Sequence, residues 1–297
     1  MTFLRRHLLN LAEKTRKLRL RSAAAFFCRF VVKSRIMNIY ITRHGQTDWN
    51  LAKKLQGRSD IPLNENGILQ ATQTFLGLKK NEIAFDRVYS SPLLRAERTA
   101  EIISGFSDDK IIKDKRIIEF SFGDAEGRTL GEIESLPELE WIKNFFENPE
   151  KYKPKGSAET FDSVLSRTAD FWESEIRNLS LRNPDCENVL VVTHGGTLQS
   201  LLLHVDGRKL SEYWDVKFPN CSMNLVKLNS PKLNPEKLDF LNKNPEKSDS
   251  ERESLNFGKL NPEKPDSERK SPKSGKTNSE LLSRGVFSLE WTGRVFY

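Results

Sequence analysis

A chain of 297 residues, 37% hydrophobic and 30% charged, is long enough for one large domain or two small ones, and is more polar than a compact enzyme usually is. The net charge of +7 is unevenly spread: residues 1–36 carry +9 and residues 230–285 carry +2, leaving the remainder at −4. The basic balance therefore belongs to appendages and gives no ground for nucleic-acid binding by the core. No apolar run approaches the ~20 residues that a membrane helix needs.

Residues 1–36 are Arg-rich and hold a single acid, Glu13. That composition fits an organellar transit peptide, a basic arm, or translated upstream sequence. The last is the preferred reading, because Met37 directly precedes the first strand. Cys28, Cys186 and Cys221 are scattered without a CxxC spacing, which reads as reduced thiols in a cytoplasmic setting.

The first element is an apolar strand, Asn38 to Thr42, running into Arg43-His44-Gly45-Gln46-Thr47-Asp48-Trp49-Asn50. In open α/β sheets, ligands sit at the C-terminal ends of strands. A guanidinium beside an imidazole suits phosphate chemistry, one group to hold the anion and one to attack or protonate it. Asn66 to Lys80 then shows helical periodicity, and Phe85 to Ser90 a short strand. Ser90-Ser91-Pro92 offers a serine cap and a first-turn proline to a helix over Leu93 to Phe106. Ile111 to Ile118 reads as a strand, and Glu159 to Leu181 as a long amphipathic helix.

Asn188 to Thr193 is a continuous β-branched run, as expected of a strand buried on both faces. It enters His194-Gly195-Gly196 and a helix over Thr197 to Val205, and Cys221 to Leu228 is a further strand. Strands alternating with helices predict a three-layer α/β/α sandwich with a mostly parallel sheet and a small helical cap. Residues 238–254 recur as 255–271 with eleven of seventeen positions identical, but they lack the apolar stripe of a solenoid and read as a disordered insertion. Val286 to Trp291 restores the pattern and is expected to pair with 221–228, closing a domain over 37–229 and 286–297.

RHGQTDWN, QGRSDIPLNENGILQA, SSPLLRAERTA, Glu119 ahead of FGDAEG, and VTHGG, in that order over residues 38–228, resemble the histidine phosphatase superfamily, the phosphoglycerate-mutase-like fold. The resemblance implies catalytic roles for Arg43, His44, Arg95, Glu119 and His194. It places Asn50, Gln56, Gly57 and Gly195 with Arg43 and Arg95 at the substrate, and it implies no metal and no cofactor. His44 would form a phosphohistidine, kept neutral by the neighbouring guanidinium groups, with His194 as the second imidazole. Glu119, holding its proton beside an anionic substrate, would protonate the leaving oxygen and then deprotonate water. Arg98 competes with Arg95, and Glu126 and Glu132 with Glu119; the family pattern favours Arg95 and Glu119. His7 and His204 read as structural.

Gln46-Thr47 after the RHG triplet, and the 75-residue interval from Glu119 to His194, resemble the phosphatase branch more than the mutases. The expected activity is that of a phosphomonoesterase on a small organic phosphate ester such as a sugar, glycerate, nucleoside-like or ribazole phosphate, with no nucleic-acid or membrane partner. The alternatives are a cofactor-dependent phosphoglycerate mutase and an inactive binding or regulatory module of the same fold. Trp141, Ile142, Phe145 and Tyr152 either line an apolar approach to the site or pack the cap, and packing is preferred. Gly156-Ser157-Ala158-Glu159 stands where family members carry Gly-Glu-Ser, which puts a capping role for Glu159 in question.

Overall fold

The computed structural model of the chain describes residues 36–183, 185–229 and 287–294. The expectations for His7, Cys28, the basic segment before Ile36 and the repeats of 230–285 fall outside the described residues.

Strand β1 (Ile36–Arg43) is followed by a one-turn helix, α1 (Asp48–Leu51), and by α2 (Glu65–Lys80), where the Asn64 side chain accepts from Gly67 N. Strand β2 (Arg87–Ser90), helix α3 (Leu94–Ser104) and the two-residue β3 (Ile112–Lys113) come next. The cap holds α4 (Leu130–Glu134) and α5 (Trp141–Glu147). Helix α6 (Phe161–Phe171) runs through a π segment, Trp172–Arg177, into α7 (Asn178–Arg182). Then follow β4 (Asn188–Thr193), α8 (Gly195–Asp206), β5 (Met223–Asn229) and β6 (Phe287–Arg294).

The sheet order is β3-β2-β4-β1-β5-β6. The pairs β1–β4, β2–β4 and β2–β3 are parallel, and β1–β5 and β5–β6 are antiparallel. The last strand thus pairs where the sequence places it, beside β5. Alternation sorts side chains between two helical layers. Ile39, Ile41, Val189 and Val191 pack with Phe171, Trp172, Ile176, Leu198 and Leu201 on one face. Tyr40, Leu190 and Val192 pack with Ala71, Leu78, Ala96 and Ala100 on the other. Because β4 is covered on both sides, its run is apolar throughout.

Three local expectations are corrected. Ile111 to Ile118 is strand only at Ile112–Lys113; the Asp114 carboxylate then accepts from Arg116 N at 2.8 Å and turns the chain into a 3-10 segment. No serine caps α3: Leu93 occupies the N-cap position, and the Asp60 carboxylate accepts from Leu94 N at 2.8 Å instead. Glu159 does not cap α6; the Thr160 hydroxyl accepts from Ser163 N, while Glu159 pairs with Arg58 and Arg167.

The cap has an aromatic core of its own. Phe145 lies between Phe120, Phe122, Tyr152, Phe161 and Trp214 at ring-centroid distances of 4.9 to 5.2 Å. Trp141, Ile142, Phe145 and Tyr152 are all buried there. They pack the cap, so they do not form an apolar approach to the site. No helix among the described residues is long and apolar enough to cross a membrane.

Candidate active site

The register of two neighbouring parallel strands builds the centre of the site. Arg43 on β1 stands opposite Thr193 on β4, so the next residue on each strand, His44 and His194, emerges at the same sheet edge. His44 N donates to Thr193 O at 2.9 Å, holding the two ends together. The rings face each other with centroids 5.1 Å apart and planes inclined by 58°.

Each imidazole is buried, and each has one nitrogen committed. His44 Nδ1 lies 2.7 Å from the Gly45 carbonyl oxygen. A carbonyl only accepts, so Nδ1 carries the proton and Nε2 keeps its lone pair. His194 Nε2 lies 2.7 Å from the Ser91 hydroxyl, and its Nδ1 has no partner among the described residues. Burial, reinforced by the charges of Arg95 and Arg43, holds His44 well below its ordinary pKa of 6.5 against the pull of the Gly45 hydrogen bond. Burial also lowers His194, aided by Arg95, His44, Arg167 and Arg43.

The two arginines, Arg95 fully buried and Arg43 half-buried, are cations held by backbone carbonyls. Arg43 Nη1 donates to Phe218 O at 3.0 Å. Arg95 Nη1 and Nη2 donate to Ser59 O at 2.8 Å and Gly57 O at 2.7 Å. Burial lowers both guanidinium groups, Arg95 to about 10, with Glu119 the strongest opposing influence on each. Both remain charged near neutral pH. Arg98, the competing candidate, points outward into an ion pair with Glu101.

Glu119 meets the first turn of α8. Its carboxylate accepts from Gly196 N at 3.1 Å and Thr197 N at 3.0 Å, as expected for an anion at a helix N-terminus. The approach is close: a Cβ on Gly196 would lie 2.9 Å from Glu119 Oε1 and 2.8 Å from the Phe120 ring. Gly195 packs beside the Arg43 guanidinium, where a Cβ would lie 3.6 Å from Cζ.

Gln56 is buried and its Oε1 has no partner among the described residues. Asn50 spends its amide oxygen locally, accepting from Thr47 N at 3.1 Å. His204 is apart from all of these, bonded to the Thr168 hydroxyl at 2.9 Å between α8 and α6. Of the rivals to Glu119, Glu132 caps the cap helix α4 through Thr129, and Glu126 binds the turn that holds Arg95.

Among the described residues, six buried side-chain polar atoms lack a partner, and four belong to this group: Arg43 Nε, Gln56 Oε1, Arg95 Nε and His194 Nδ1. Buried polar groups are nearly always satisfied, so such a concentration marks a place built for something else to bind. With two cations and two neutral imidazoles, the complementary ligand is an anion able to accept several hydrogen bonds. Sequence reasoning missed Ser91, Thr197 and Asn220. The Asn220 side chain donates to His44 O at 2.8 Å, and Ser91, by sequence a candidate helix cap, meets His194 instead. The parallel register of β2 with β4, Ser90 opposite Val192, sets Ser91 beside His194; only the strand pairing reveals it.

Residues 39–239 match the family described as the histidine phosphatase superfamily, branch 1. The chain is 34% identical over 169 residues to an uncharacterized phosphatase, PhoE, of Bacillus subtilis, covering 57% of this chain and 77% of that protein. It is 31% identical over 210 residues to a metal-independent phosphoserine phosphatase of Arabidopsis thaliana, covering 68% and 80%. It is 32% identical over 200 residues to a probable phosphoglycerate mutase, GpmB, of Proteus mirabilis, covering 67% and 88%. Among solved structures, Bacillus stearothermophilus YhfR superposes with a TM-score of 0.57 at 31% identity, covering 65% of this chain and 91% of that one. A phosphoserine phosphatase of Entamoeba histolytica in complex with 3-phosphoglyceric acid gives a TM-score of 0.54 at 27% identity, covering 64% and 90%. The chain belongs to branch 1 of the histidine phosphatase superfamily.

Proposed function

We propose that this histidine phosphatase is a metal-independent phosphomonoesterase that acts on a small organic phosphate through a phosphohistidine at His44. The observation that carries the reading is the 2.7 Å hydrogen bond from His44 Nδ1 to Gly45 O, because it leaves the Nε2 lone pair free to attack phosphorus. Arg43, Arg95 and His194 supply the donors that spread the charge of the transferring group. In the first step the His44 Nε2–P bond forms, the ester P–O bond breaks, and Glu119 delivers a proton to the departing oxygen. In the second, water attacks the phosphohistidine, Glu119 takes the proton of that water, and inorganic phosphate leaves with His44 restored. Asn50, Gln56, Gly57 and Gly195 are assigned to the surroundings of the substrate. No step calls on a metal.

Relatives named as phosphoserine phosphatases, and the solved phosphoserine phosphatase in complex with 3-phosphoglyceric acid, support testing phosphoserine and phosphoglycerate first. Relatives named as probable phosphoglycerate mutases, at similar identity, support the second reading of phosphoryl transfer between positions of a glycerate. The test is hydrolysis of p-nitrophenyl phosphate and of this panel in excess EDTA, with rapid-quench trapping of labelled enzyme. Retained turnover and an acid-labile, alkali-stable phosphoprotein, both lost in His44→Ala, are expected. Dependence on added divalent metal sinks the phosphatase reading, and isomerised phosphoglycerate without phosphate release replaces it with the mutase.

A further inference from the structure

Arg95 presents an unusual arrangement for a buried cation. Among the described residues no carboxylate oxygen lies within ion-pair distance of it; two backbone carbonyls, Gly57 O and Ser59 O, hold its fork. Its orientation is therefore only as fixed as the turn that carries those carbonyls. No regular element includes Gly57 to Asp60: Gly57 is in the left-handed region at φ +54°, one internal hydrogen bond closes the turn, Ser59 N to Gln56 O at 3.1 Å, and the Arg58 side chain reaches Glu119 O and Glu159.

The far side of the same turn is gathered by one carboxylate. Glu126 Oε1 accepts from Arg58 N at 3.0 Å and from Phe122 N at 3.1 Å. Glu126 Oε2 accepts from Ser59 N at 2.8 Å and from the Ser59 hydroxyl at 2.6 Å. Gly57 C=O and Arg58 N–H belong to one planar peptide unit. Its oxygen faces the Arg95 cation and its N–H faces the Glu126 anion, so the peptide dipole lies aligned between the two charges. The fit is tight, since a Cβ on Gly57 would lie 2.1 Å from Glu126 Oε1. Asp60 ties the other end of the turn to the helix that carries Arg95, through Leu94 N.

We propose that Glu126 is a positioning residue for phosphate recognition, acting on Arg95 through the Gly57–Ser59 turn. The inference rests on the reading of this pocket as a phosphate site. Its physical logic is that a carboxylate placed directly on Arg95 would occupy the donors and offset the charge that the substrate needs. Acting through a peptide, Glu126 fixes the guanidinium and still leaves Nε and the outward N–H groups available. Charge-assisted hydrogen bonds to a carboxylate are about twice as strong as neutral ones, and an amide of the same shape removes that charge and turns a donor NH2 toward one of the two sets of donors, so it weakens the clamp.

The experiment is calorimetric titration of the full chain with orthovanadate, which reports anion binding without turnover. Glu126→Gln, checked for fold by circular dichroism, is expected to bind about tenfold or more weakly, and Ser59→Ala about threefold more weakly. In an Arg95→Lys background, whose ammonium lacks the fork those carbonyls orient, both substitutions are expected to change affinity less than twofold. Wild-type affinity in Glu126→Gln, or the same loss with and without Arg95, overturns the proposal. Should Glu126→Gln fail to fold, the Ser59→Ala and Arg95→Lys pair decides by the same criterion. Absence of vanadate binding to the wild type overturns the pocket reading itself, and this inference with it.

Discussion

His44 and His194 face each other 5.1 Å apart, both buried and both held below the ordinary imidazole pKa. Burial is the main reason that neither is stabilised as a cation, and the charges of Arg95 and Arg43 add to it. The guanidinium groups that would hold a phosphate thus also help to keep the pair neutral.

A pH signature of stability follows. Below pH 6.5 the unfolded chain binds protons at these histidines and the folded chain does not, so stability falls with pH until the folded pKa values are reached. Each imidazole contributes a slope of at most about 1.4 kcal/mol per pH unit. Urea unfolding at pH 7.5 and 5.5 is expected to show wild type losing about 1 kcal/mol more than His194→Gln. Equal losses would mean that His194 titrates normally in the folded protein. In the free enzyme, the acid limb of kcat/KM is expected below pH 6.5 for the same reason.

Glu119 is pinned by two backbone donors of α8 and lies close enough to Arg43 and Arg95 to oppose their deprotonation. If it protonates the leaving oxygen, its value depends on how poor the leaving group is. Glu119→Gln is expected to lose about 10²- to 10⁴-fold in kcat on an alkyl phosphate and under tenfold on p-nitrophenyl phosphate, whose leaving group departs without help. Equal losses on both would reduce Glu119 to a helix cap.

Arg43 shows the opposition between stability and function. It is a half-buried cation whose side chain makes, among the described residues, one hydrogen bond, to Phe218 O, and whose buried Nε has no partner there. A cation taken out of water without an ion-pair partner carries a desolvation cost that an apolar side chain of similar volume does not. Arg43→Met is expected to unfold at the same temperature as wild type or a few degrees higher in buffer without anions, while activity falls at least 10³-fold. Saturating phosphate should reverse the order, raising the wild-type midpoint alone. A large loss of stability in anion-free buffer would show that Arg43 is chiefly a structural strut.

The sequence made much of this legible for a physical reason: strand ends carry their functional residues as contiguous text. Arg43-His44-Gly45 and His194-Gly195-Gly196 each follow an apolar run, and strand pairing converts two such runs into one site. What stayed hidden depends on register or on loops. Ser91 meets His194 only because β2 and β4 are parallel neighbours. Glu126, two residues before Arg128 in an irregular segment, is visible in the sequence only as a rival to Glu119; the partners that tie it to the turn, Arg58 N and Ser59, lie sixty-odd residues away, and backbone amides leave no mark in a sequence. The short β3 looks longer in the sequence for a related reason: Ile111 and Ile117 are apolar because they pack in the core, while Asp114 bends the backbone between them.

The aromatic cap yields the last prediction. Phe145 is 1% exposed and surrounded by other rings, so its contribution is to packing and not to substrate contact. Phe145→Ala removes that ring from a core too interlocked to collapse onto the gap, and is expected to cost about 3–5 kcal/mol of stability. The candidate phosphate-holding groups Arg43, His44, His194 and Arg95 rest on β1, β4 and α3, and the Phe145 ring reaches the site only indirectly, through Phe120, the neighbour of Glu119. Competitive inhibition by inorganic phosphate, measured at a temperature where the variant stays folded, is therefore expected to change less than twofold. A tenfold weakening at unchanged fold would place the cap aromatics at the substrate after all, and would restore the apolar approach that the packing of Trp141, Ile142, Phe145 and Tyr152 argues against.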